Sequence, residues 1–130
     1  SLKVEIKKFI HDMDKKYESV QKRFSNEILN GQIVIHRGFS EEIMPKFDND
    51  FFDWIYVDGN HLYEYVKKDL QLCYEKIKDY ALITGDDYYD LPPDGDWSEG
   101  GVKKAVDEFI HLKKLELIQV KNHQFISKKL

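Results

Sequence analysis

Two apolar runs of strand length, each ending in acid, constrain this chain most. Phe51 to Val57 leads into Asp58, and Tyr80 to Thr84 leads through Gly85 into Asp86-Asp87. Between them Leu62, Val66, Leu70, Cys73 and Ile77 recur at helical spacing, so the stretch reads as strand, helix, strand. A helical crossover makes its two strands parallel, and parallel neighbours stand ~4.8 Å apart. Asp58 and Asp86 are then predicted to meet at the carboxyl edge of one sheet, where open α/β sheets bind ligands. The first run is interrupted only by Asp53, which predicts a strand covered on both faces and central in the sheet.

The rest of the chain supplies layers around this unit. Ile6, Ile10, Met13, Tyr17, Val20, Phe24 and Ile28 fall at alternating steps of four and three, predicting a long amphipathic helix within residues 1–30. Asp12, a competent N-cap, is a candidate interruption, and Asn30-Gly31 is the predicted stop. The stripe either packs on the domain's own sheet or forms a heptad seam that joins copies into a homo-oligomer. Gln32 to His36 reads as a short strand, followed by a turn at Gly38-Phe39-Ser40 and a brief helical piece around Pro45. Residues 88–101, with Pro92-Pro93, Gly95, Trp97 and Gly100-Gly101, read as a loop leaving the acidic edge, either covering a site or solvated. Val102, Ala105, Val106, Phe109 and Leu112 mark a further helix. Leu115 to Val120 and Phe125 to Lys128, joined around Asn122-His123, read as an antiparallel hairpin.

A length of 130 residues predicts a single domain. The 20 basic and 24 acidic residues interleave, so no nucleic-acid footprint is present. No apolar run approaches the ~18 to 20 residues of a membrane span. Cys73 is the only cysteine, which excludes an internal disulfide and a thiolate metal cluster and points to a reducing, cytoplasmic setting. The opening Ser1-Leu2 reads either as a cloning remnant or as a cut inside a longer product.

Three converging carboxylates, Asp58, Asp86 and Asp87, repel one another unless a cation or protons neutralise them. All-oxygen ligation suits Mg²⁺, Ca²⁺ or Mn²⁺. His61, three residues past Asp58, is placed to take a proton from a bound hydroxyl. Each residue also has a plain reading: Asp58 or Asn60 as a helix cap, Asp87 as a solvated acid, His61 as a surface histidine.

The segment Phe52-Asp53-Trp54-Ile55-Tyr56-Val57-Asp58-Gly59-Asn60-His61-Leu62-Tyr63, then Val66 and Asp69, then Gly85-Asp86-Asp87-Tyr88, then Gly101-Val102 with Ala105-Val106-Asp107 and Phe109, resembles the C-terminal half of class I S-adenosylmethionine-dependent methyltransferases. Within that class it is most similar to metal-dependent O-methyltransferases acting on sugars and natural products. The resemblance implies a three-layer, Rossmann-like α/β methyltransferase fold, truncated at its N-terminus and ending in an antiparallel hairpin. It implies S-adenosylmethionine and a divalent metal, Mg²⁺ first, as cofactors, and a hydroxylated small molecule or sugar as acceptor. Asp58, Asp86 and Asp87 fall on the metal ligands and His61 on the general base. Gly38, Ser40 and Glu41 resemble the turn that contacts the donor's adenine, and Asp58 would lie near its methionine end. Two departures stand out: no G-x-G turn occurs in the 130 residues, and Asp79-Tyr80 stands where the family has Gly-Gly. The rival readings are a non-catalytic α/β interaction module that keeps the acidic edge, and a phosphoacceptor receiver domain, whose acidic pair should precede the single Asp and here follows it.

Overall fold

The computed structural model describes residues 2–60, 62–88, 101–112 and 114–130, and the side chains of all of these except 2–11. The chain forms two compact units, Ser1–Arg37 and Gly38–Leu130. No helix among the described residues is long and apolar enough to cross a membrane.

In the first unit, α1 (Leu2–Arg23) and α2 (Ser25–Leu29) follow the predicted periodicity. The interruption expected at Asp12 is absent. Aspartate inside a helix costs only tenths of a kcal/mol, and the break falls instead at Phe24, whose ψ of 28° leaves the helical region. Gly31, at φ +82°, ends the helical segment, and the Ile33 amide returns to the Glu27 carbonyl at 3.0 Å. Arg37 pairs with Asp14 and lies 4.7 Å from the Tyr17 ring centre. The strand expected over Gln32 to His36 does not form. A β-branched run becomes a strand only beside a partner, and this unit offers no second extended segment among the described residues.

In the second unit α3 (Ser40–Ile43) passes into a 3₁₀ turn over Met44–Lys46, with Pro45 where its missing N–H costs nothing. Strand β1 (Phe52–Val57), helix α4 (Tyr63–Lys76) and strand β2 (Ile77–Gly85) make the predicted strand-helix-strand unit. Helix α5 (Val102–His111) and strands β3 (Leu115–Lys121) and β4 (Gln124–Lys129) complete it. The sheet order is β1-β2-β4-β3, with β1 and β2 parallel and the other pairs antiparallel. Asn122 and His123 both have positive φ, at 52° and 62°, which is the twist a two-residue hairpin turn requires.

The expectation that β1 is central is overturned: among the described residues it stands at the edge of the four-stranded sheet. Its apolar run splits by face. Ile55 and Val57 pack into the core, whereas Trp54 remains 60% exposed and Tyr56 44%. The core contains Val66, Leu70 and Cys73 of α4, Ala105, Val106 and Phe109 of α5, and Ile83, Leu115 and Phe125 of the sheet. Both helices therefore cover one sheet face, and the described residues of this unit form two layers, not the three that the resemblance implies. Two lysines are buried against acceptors that hold them: Lys76 Nζ donates to the Phe47 carbonyl at 2.8 Å, and Lys129 Nζ to the Tyr74 carbonyl at 3.1 Å. Tyr80, where the resemblance implies a glycine, adopts φ +64°, within the stretch where the β1 register jumps from Ile77 to Leu82.

Candidate functional site

Strand register builds the site. Val57 stands beside Gly85 in the parallel pair, so the residues that follow them, Asp58 and Asp86, leave the same edge together. The Asp86 amide donates to the Val57 carbonyl at 3.3 Å and ties the two exits. Ligand oxygens of Asp58, Asp86 and Asp87 lie within 4.8 Å of one another. That separation is about twice a Ca²⁺–O bond, so a cation of that size can bridge the widest pair and a smaller one needs the carboxylates to draw closer; the all-carboxylate donor set fits Mg²⁺, Ca²⁺ or Mn²⁺ by its chemistry. Asp58 is exposed, and Asp86 and Asp87 are half-buried.

The acidic pair is held from behind. Asp87 adopts φ +65°, a left-handed conformation costing of order 1–2 kcal/mol for a residue with a Cβ. The next residue, Tyr88, is buried, and its amide donates to the His123 carbonyl at 2.8 Å while its hydroxyl donates to Asp107 Oδ1 at 2.6 Å. The hairpin turn and α5 thus fix the exit of β2.

On the other side of Asp58 lies an open cleft of about 330 Å³, lined by Gly38, Ser40, Met44, Ile55, Asp58 and Asp69 among others. Three of the four predicted donor residues, Gly38, Ser40 and Asp58, share it. The fourth, Glu41, sits in the first turn of α3, exposed and outside the lining. The Ser40 hydroxyl donates to Asp69 Oδ1 at 2.6 Å, leaving its oxygen free to accept. Gly38 has φ +153°, and a Cβ there would stand 3.2 Å from Ile43 Cδ1, so a side chain would be both strained and crowded at the cleft wall.

His61, the predicted base, lies outside the described residues, as does most of the loop over 88–101. Next to His61, Asn60 Oδ1 accepts the Leu62 amide at 2.9 Å and shapes the entry to α4.

Two functional candidates escaped the sequence reading. Asp69 carries no role in the sequence reading, and the structure sets it beside Ser40, whose hydroxyl it accepts. Tyr56 is two residues before Asp58, a spacing that turns both to one side of an extended chain, and that signal is in the sequence. Its phenol is pushed above its ordinary range, first by desolvation and then by the carboxylates of Asp86, Asp58 and Asp87. It is a neutral hydrogen-bonding group beside three acids.

A family model described as a methyltransferase domain matches residues 4–88, a span that runs from α1 through the acidic pair. No curated protein matches the chain.

Proposed function

Because the chain belongs to the methyltransferase domain family, we propose that it serves S-adenosylmethionine-dependent O-methyl transfer to a hydroxylated small molecule or sugar, assisted by a divalent cation at Asp58, Asp86 and Asp87. The observation that carries this reading is the Val57–Gly85 register, which sends three carboxylates out of neighbouring strand ends.

When bound, the cation would lower the pKa of an acceptor hydroxyl and the donor would supply its sulfonium methyl group. The chain's own residues do the rest. Asp58 belongs both to the acidic cluster and to the 330 Å³ cleft, so it aligns the acceptor side with the donor side. Ser40, oriented by Asp69, offers a hydrogen-bonding oxygen to the donor at the cleft wall. His61, just ahead of α4, removes the acceptor's proton. Homo-oligomerisation is part of the same proposal and draws on the α1 stripe, where Met13 and Val20 are 47% and 43% exposed. Sedimentation as a clean monomer at high micromolar concentration would remove that part.

The test is transfer of labelled methyl from millimolar donor to a panel of hydroxylated acceptors with and without Mg²⁺. Cation-dependent labelling that is abolished by His61→Ala and by Asp86→Ala supports the proposal. Labelling indifferent to both substitutions rejects it. The rival reading, a non-catalytic module, draws on the absence of a G-x-G turn in the 130 residues, and it predicts no donor-dependent labelling at all.

A further inference from the structure

The sheet face opposite the helices carries a second cleft of about 370 Å³, whose walls include Trp54, Tyr56, Gln119, Lys121, Asn122 and Gln124. Its floor is a row of register partners across all four strands: Tyr56 beside Thr84, Thr84 beside Ile126, Ile126 beside Gln119. A bulge in β3 between Leu117 and Gln119 turns Gln119, in place of Ile118, toward this row. The Trp54 indole N–H is already satisfied, donating to Thr84 Oγ1 at 2.8 Å, yet the side chain stays 60% exposed. The ring is thereby pinned and shows solvent an apolar surface with no donor to spend on it. Gln124 Nε2 reaches the Tyr56 hydroxyl at 3.3 Å, which joins the amide rim to the residue nearest the acidic cluster.

The lining selects a ligand by its chemistry. An anion would meet a single lysine and, past Tyr56, three carboxylates. A cation would find no carboxylate in the wall. A wholly apolar ligand would strip water from the amides of Gln119 and Asn122 and from the Gln124 carbonyl oxygen, each at a cost. A neutral ring with one apolar C–H face and several hydroxyls satisfies both the indole and the amides, and a volume of several hundred Å³ suits one or two such rings. We propose that this cleft is a carbohydrate-binding subsite, in which a neutral sugar ring stacks on Trp54 while its hydroxyls bond to Gln119, Asn122 and Gln124.

Tyr56 also lines the donor-side cleft, so a sugar held here has one edge directed at the acidic strand ends. That identification of the sugar as the methyl acceptor rests on the function proposed above. The binding itself does not.

The experiment is a two-dimensional ¹⁵N–¹H titration of the chain with methyl α-glucopyranoside and methyl β-galactopyranoside, without donor or metal. Saturable shifts of the Trp54 indole N–H and of the Gln119 and Gln124 side-chain amides are expected, with a Kd in roughly the millimolar range, as a ligand of about a dozen heavy atoms implies. Trp54→Ala should weaken binding roughly tenfold or more at unchanged circular dichroism and Tm, and Gln119→Ala should weaken it less. Absence of saturable shifts with both glycosides, or equal affinity in Trp54→Ala, overturns the site. Saturation by catechol but by neither glycoside overturns the ligand class. Glycosides that bind but are never methylated would leave the subsite standing and count against the transfer function alone.

Discussion

Val57 and Gly85 touch where a side chain cannot fit: a Cβ on Gly85 would stand 2.6 Å from the Val57 carbonyl oxygen and 2.6 Å from Phe125 Cε1. The two strand exits converge because residue 85 has no side chain, and the acids that follow inherit that convergence.

Gly85→Ala should therefore destabilise the protein by about 2 kcal/mol or more, since neither a backbone carbonyl nor a buried ring can move away without cost. Urea unfolding measures this. The same substitution should weaken cation binding, because spreading the strand ends separates Asp58 from Asp86.

His123→Gly should act in the opposite direction. Position 123 sits at φ +62° in the two-residue β3–β4 turn, and Asn-Gly is the preferred pair for that geometry. Relief of strain, partly offset by unfolded-state entropy, predicts stabilisation of roughly 0.5 to 1 kcal/mol. A Tm raised by a few degrees is the readout, and the Tyr88 amide bond to residue 123 survives because it uses the backbone carbonyl.

Cys73 gives a pH dependence. Burial, with the Asp69 charge adding to it, pushes its thiol up from 9.0 to about 12. Above pH 9 the unfolded chain loses the thiol proton while the folded chain keeps it, so the unfolded state is favoured as pH rises from about 9 toward 12. Below pH 9 this group contributes no pH dependence. Replacement by alanine should flatten that part of the stability profile, and a thiol reagent at pH 8 should react with Cys73 only after unfolding.

The donor itself should bind feebly. The contacts proposed for Gly38, Ser40 and Asp58 are few, and the 130 residues hold no G-x-G turn to cradle the rest. With each polar contact contributing roughly 0.5 to 1.5 kcal/mol and ~1.4 kcal/mol per tenfold, loss of several moves a micromolar site toward millimolar. Calorimetry showing micromolar S-adenosylmethionine affinity would contradict this. Under the proposed function His61 acts only on the acceptor's proton, so His61→Ala should leave that affinity nearly unchanged.

What was legible in the sequence follows from which interactions are local. Helix periodicity, the Asn122-His123 turn and the strand-end acids are encoded by spacing alone. Convergence of Asp58 with Asp86 and Asp87 was predictable because a helical crossover forces parallel strands. The central position assigned to β1 failed because a run such as Phe-Asp-Trp-Ile-Tyr-Val is equally apolar whether both faces are covered or one presents Trp54 and Tyr56 to solvent. The strand assigned to Gln32 to His36 failed because pairing partners are not written in a strand's own residues. Gln119 and Gln124 entered no candidate site, since only the β3 bulge and the sheet order bring them level with Tyr56.

The account turns on whether Asp58, Asp86 and Asp87 act as one cation site. Calorimetric titration of the wild type and of Asp86→Ala with Mg²⁺, Ca²⁺ and Mn²⁺ asks this directly. The account predicts one weak site in the wild type, lost or weakened at least roughly tenfold in the variant, as removal of one charged ligand from an open site should cause. Equal affinity in the two proteins, or no saturable binding in the wild type, would contradict it.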